Sequence, residues 1–143
     1  MTYTYSITVP RTYEEAIEQT RAALADQGFG VLTEIDVKAT LTTKLGADAG
    51  EAVGDYVILG ACNPELASRA LAAEPQIGAL LPCNVVVRRG ADDERTTVEA
   101  VDPQTLVRLS DSPQVREVAD DAEVRLRAAL TAISGGDHDS ETG

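Results

Sequence analysis

The first regular signal along the chain is an alternation. Over residues 3–9, Tyr3, Tyr5, Ile7 and Val9 fall on one side and Thr4, Ser6 and Thr8 on the other, the period of two of a half-buried strand. Pro10 closes it. Thr12 followed by Glu15 forms a capping box, and Tyr13, Ala16, Ile17, Thr20, Leu24 and Gln27 then recur at helical spacing, with Gly28 placed to end the helix. Residues 29–37 return to alternation, with Phe29, Val31, Ile35 and Val37 expected on the inner face. A short helix capped by Asp36 follows, with Leu41 and Leu45 inward and Gly46 as its stop.

Residues 47–54 are polar and glycine-containing and predict a loop. Residues 56–61 are continuously apolar, the pattern of a strand covered on both faces. Asn63-Pro64 opens another helix, a favoured cap followed by a proline where its missing donor costs nothing, with Leu66, Ala67, Ala70 and Leu71 inward. Residues 74–82 are irregular. Val85, Val86 and Val87 lead a strand, 90–93 turn, and 96–101 return as its hairpin partner. Asp102-Pro103 and Ser112-Pro113 repeat the cap-plus-proline start. The last helix carries Val115, Val118, Ala119, Ala122, Leu126, Ala129, Leu130 and Ile133 on one face, and Gly135-Gly136 predict its end.

This order of elements predicts an α+β two-layer sandwich, a mixed and mainly antiparallel sheet of about five strands with helices on one face. A small parallel α/β sheet is the main rival. The domain spans residues 1–134, and 135–143 read as a disordered acidic tail. Two long helices leave the other sheet face partly open, which favours pairing with a second copy, so a homodimer is expected.

Composition changes the picture in three ways. The 143 residues are 43% hydrophobic, enough for a real core. The net charge of −12 disfavours nucleic acid and anionic membrane surfaces, both of which are bound by basic residues. It also suggests a salt-adapted, halophilic setting, because screening relieves the self-repulsion of such a surface. The opening residues do not read as a signal peptide, and the longest uncharged stretch falls short of the ~20 residues of a membrane helix. Two cysteines cannot build a disulfide scaffold. A cytoplasmic protein with reduced thiols is expected.

Several chemistries lack their residues. The single histidine, His138, lies in the tail, so no histidine triad or histidine metal site is indicated. Gly46, Gly50 and Gly54 recur without the Gly-Lys-Ser/Thr ending of a phosphate loop. What stands out is a near-palindrome, Cys62-Asn63-Pro64 and Pro82-Cys83-Asn84. Cys62 precedes a helix start, where amide donors and the helix dipole favour a thiolate. That would suit a nucleophile, a redox thiol or a soft-metal ligand. Against this stands the general habit of cysteine to be an inert, buried small hydrophobe. Two thiols also leave a tetrahedral zinc site unfilled unless a dimer or carboxylates complete it. Lys38 and Lys44, the only lysines among 12 basic residues, are a second cluster able to bind an anion.

Residues 28–36 (GFGVLTEID), Lys44-Leu45-Gly46, residues 58–64 (ILGACNP), Glu74-Pro75 and residues 80–87 (LLPCNVVV) together resemble the domain-of-unknown-function 302 family, in order over nearly the whole chain. The resemblance implies a compact α+β domain, dimeric, in a family without an established activity. It marks Glu34, Asp36, Lys38, Lys44, Cys62, Asn63, Pro64, Pro82, Cys83 and Asn84 as characteristic positions. The leading expectation is a dimeric module that binds a small molecule or soft metal at Cys62 and Cys83, with Asn63, Asn84, Lys38, Lys44, Glu34 and Asp36 as further candidate ligand-binding residues. The alternatives are a thiol enzyme or redox protein using Cys62, and an interaction protein without a site. No particular cofactor is indicated.

Overall fold

The computed structural model describes residues 3–142; side chains are described except at Leu106 and beyond residue 135. Five strands form one sheet: β1 (Thr4–Val9), β2 (Gly30–Asp36), β3 (Asp55–Cys62), β4 (Cys83–Arg89) and β5 (Thr96–Val101). Their spatial order is β1-β5-β4-β3-β2. All four pairings are antiparallel, so the parallel rival falls.

Helix α1 (Tyr13–Asp26) begins at the expected capping box: Glu15 N–H donates to Thr12 Oγ1 at 3.1 Å and Thr12 N–H to Glu15 Oε1 at 3.0 Å. Gly28 follows it at φ 85°, in the left-handed region open to glycine. Helix α6 (Pro113–Thr142) packs beside α1 on the same sheet face. Between them lies the main core, built from Val57, Leu59, Val85, Val87, Val98 and Ala100 of the sheet against Ala16, Leu24, Leu126 and Ile133 of the helices. A second, smaller core joins α4 (Pro64–Ala73), a 3₁₀ turn (Pro75–Leu80) and the first half of α6 through Leu66, Ala70, Ile77, Val115, Val118 and Ala122. A short α5 (Gln104–Leu109) connects β5 to α6.

Five expectations need correction. Residues 47–54 are not a loop: α2 (Val37–Leu45) turns at Gly46 into α3 (Ala47–Val53). Glycine is needed there because a methyl at Gly50 would collide with Thr42 Oγ1 and lie 3.0 Å from the Lys38 carbonyl. In β2 the alternation does not carry all odd positions inward. A register shift between Val31 and Thr33 inserts one residue, and an extra residue in a strand exchanges its faces. Val31 therefore stays half-buried against the core while Ile35 is 48% exposed on the far face. Strand β3 is not covered equally on both faces: Val57, Leu59 and Ala61 lie in the main core, while Ile58 on the far face is half-buried. Leu45 is exposed and not an inner-face residue. Helix α6 also runs on through Gly135 to Thr142; the expected tail and His138 fall where side chains lie outside the described residues.

Candidate functional site

The candidate residues divide into two groups at opposite ends of β3. Asp55 opens that strand and Cys62 closes it, a span of about 23 Å at ~3.3 Å per residue. The cavity lined by Cys62 and Cys83 is separate from the one lined by Lys38.

At the Cys62 end, the antiparallel ladder places the end of β3 beside the start of β4, so both cysteines come to the same end of the sheet. They are not paired across it: Ala61 is the partner of Cys83, and Gly60 of Asn84. Both thiols are free. Among the described residues, no group of three or more His, Cys, Asp or Glu side chains is arranged to hold a metal ion. Asn63 is buried and caps α4, its Oδ1 accepting from Leu66 N–H at 3.1 Å. Asn84 is exposed and, by strand alternation, turns to the open sheet face. It shares a separate cavity of about 170 Å³ with Cys83 and Pro82, which Cys62 and Asn63 do not line.

Cys62, Asn63 and Cys83 line one apolar cavity with Phe29, Leu66 and Ala70, enclosing about 30 Å³. Cys83 packs against the main core. Burial pushes its thiol up to about 11, and the neighbouring Cys62 adds to the shift. Cys83 is therefore a neutral thiol at physiological pH, the opposite of an activated nucleophile. The rim of this end is tied down by Arg125, whose Nη1 donates to the Gln27 carbonyl at 3.0 Å and whose Nε donates to Asp121 at 2.7 Å.

At the other end, Asp36 caps α2 by accepting from Ala39 N–H at 2.9 Å. Lys38 Nζ stands 3.6 Å from Asp55 Oδ1. Glu34 is engaged elsewhere, with Arg21 at 3.1 Å. Lys44 occupies the last turn of α2, exposed at the negative helix end. Asp36 and Lys38 share a cavity of about 360 Å³ with Tyr13, Asp55 and Tyr56. These last three are not among the sequence candidates. Tyr13 reads as helix inner face and Tyr56 as strand core, and only the helical course of α2 reveals that they meet. The signal available was Asp55, a charge set directly against an apolar strand.

The comparisons agree with this architecture. No curated protein matches the chain. A solved structure described as the crystal structure of an uncharacterized conserved protein DUF302 from Bacillus stearothermophilus is similar, with 34% identity and a TM-score of 0.80. It covers 91% of this chain and 97% of that one. The model of the family "Domain of unknown function DUF302" matches residues 5–133, and the chain belongs to that family.

Proposed function

We propose that the chain is a small dimeric binding module whose ligand site is the apolar cavity between the Cys62–Cys83 end of the sheet and helices α4 and α6. The observation that carries this reading is the lining: two free thiols and one buried amide among apolar side chains. At about 30 Å³ the cavity holds one water-sized group. A larger ligand enters by parting α4 from α6, which meet in the smaller core. The composition suits a small apolar molecule. A soft metal fits less well, since Cys83 must first lose a proton that burial holds.

Thermal melts with indole or 1-hexanol test the site. A concentration-dependent rise in Tm, abolished by Ala70→Phe filling the cavity, supports it. A flat Tm at saturating probe removes the small-molecule reading. Protein purified without chelator and titrated with copper(I) tests the metal reading, which an absence of binding removes.

The dimer is proposed on the open sheet face. Ile35, Ile58 and Val86 form a cross-strand row there, and Arg88 Nε lies 3.2 Å from Glu99 Oε1 beside it. That face thus carries an apolar row among uncharged polar residues and a compensated charge pair, on a chain of net charge −12, so a second copy docks without stacking like charges. Sedimentation equilibrium checks this: the native chain is expected as a dimer and Val86→Arg as a monomer. A native monomer at ~100 μM defeats it, because a specific dimer of micromolar Kd would be formed there. The acidic surface and free thiols support a cytoplasmic setting without nucleic-acid partners.

A further inference from the structure

The apolar cavity between α4 and α6 holds one polar group that the capping of α4 leaves unused. Asn63 is only 8% exposed and lines the cavity with Phe29, Leu66 and Ala70. Its Oδ1 accepts from Leu66 N–H at 3.1 Å, which settles which end of the amide is the oxygen. Nδ2 is thereby turned away from that N–H, and among the described residues nothing accepts from it. Resting on the reading of this cavity as a ligand site, we infer that its ligand is an uncharged apolar molecule with a carbonyl group, whose oxygen accepts from Asn63 Nδ2.

Three observations carry the inference. A buried side chain with an unused donor is uncommon, because an unmade hydrogen bond there is costly. The space beside that donor is kept open by Gly28, at φ 85°, where a Cβ would stand only 2.9 Å from Nδ2. The neighbouring polar group is a second donor. Arg125 Nη1 lies 3.4 Å from that same Cβ position and donates to the Gln27 carbonyl at 3.0 Å. Two donors at one corner select for an oxygen acceptor, and an amine or alcohol would bring a further hydrogen there.

The surroundings also favour a neutral acceptor over a carboxylate. Arg125 has its charge met by Asp121, at 2.7 Å from Nε. The burial that pushes the Cys83 thiol up to about 11 penalises any anion in the same cavity. The net charge of −12 repels anions from further out. A carbonyl compound meets the donor without carrying charge into the apolar walls.

The test compares cyclopentanone with methylenecyclopentane, which has the same shape with carbon in place of the oxygen. Binding is followed by the amide chemical shifts of Phe29, Leu66 and Ala70. The native chain is expected to bind the ketone about tenfold more tightly, the value of one hydrogen bond on a buried group. Asn63→Asp keeps the cap, since aspartate caps as well as asparagine, but replaces the donor by an acceptor. It is expected to abolish the preference while still binding the hydrocarbon. In the native complex, the C=O stretch of the bound ketone is expected below its value in a hydrocarbon solvent, a readout that needs no variant. Equal affinities, a preference that survives Asn63→Asp, or an unshifted C=O stretch would each overturn the inference and leave the cavity as a purely apolar site. Binding of neither probe would remove the site together with the inference.

Discussion

Asn63 shows how much one side chain can be asked to do. Its place between Cys62 and Pro64 marked it as a cap, and its Oδ1 does accept from Leu66 N–H. Burial adds what the sequence pattern could not: on a side chain that is buried, the lost bond is poorly replaced by solvent. Asn63→Ala is therefore expected to lower stability by about 2 kcal/mol, the upper part of the capping range, seen as a lower urea midpoint at unchanged slope. A loss below ~0.5 kcal/mol would show that the cap is dispensable. Cys83 makes the converse point. Its position at a strand start was legible, but its chemistry was not, because a thiol's state depends on what packs around it. Held at about 11, above its ordinary value near 9, the thiol binds its proton more tightly folded than unfolded. Its contribution is thus complete below pH 9 and lost as pH rises through 11, at most about 2–3 kcal/mol. The native chain is expected to lose stability over that interval faster than Cys83→Ala. Parallel curves for the two would refute the shift.

Elements whose apolar residues recur over many turns were legible; short ones were not. The inner face expected for α6, from Val115 to Ile133, is buried at every position named, because a long amphipathic stripe has only one way to cover a sheet. α3 escaped notice because Ala47–Val53 has little apolar periodicity and stands by packing on α2 through a glycine. In β2 the pattern misleads past Val31 because a bulge leaves the sequence alternation intact while exchanging the faces. The candidate site suffered for the same reason. Asp36 and Lys38 were visible as unusual residues, but their partners Tyr13, Asp55 and Tyr56 come together only once α2 folds back. The α2–α3 contact is testable through Gly50. Gly50→Ala drives a methyl onto Thr42 and toward the Lys38 carbonyl, an overpacking cost of about 1–3 kcal/mol. Adding Thr42→Ala is expected to recover part of it, since one of the two obstructions then goes. A double-mutant cycle with no coupling would show that the helices do not meet as described.

The charge of −12 is distributed, not stored in one place. Several ion pairs of the described residues are exposed: Arg21–Glu34, Lys38–Asp55, Arg69–Asp121 and Arg127–Glu123 all include a side chain at least 40% accessible. Such pairs contribute little each, whereas the 24 acidic residues facing 12 basic ones repel over the whole surface. Added salt weakens both effects, but the repulsion is summed over many more partners and persists to longer distances. Screening is therefore expected to stabilise the chain. A melt series at pH 7 from ~0.05 M to ~2 M KCl should show a rising Tm, steepest below ~0.5 M, where the screening length shrinks fastest. If the surface is adapted to salt, substituting surface carboxylates such as Glu51, Asp92 and Glu117 by their amides should raise Tm at low salt and flatten the dependence. A Tm that stays level or falls as KCl rises would instead assign the acidity to ion pairing, and would leave the surface without the environmental meaning given to it. The same series bears on self-association: two copies at −12 each repel until screened, so a dimer formed through the neutral sheet face should tighten in parallel with the melt.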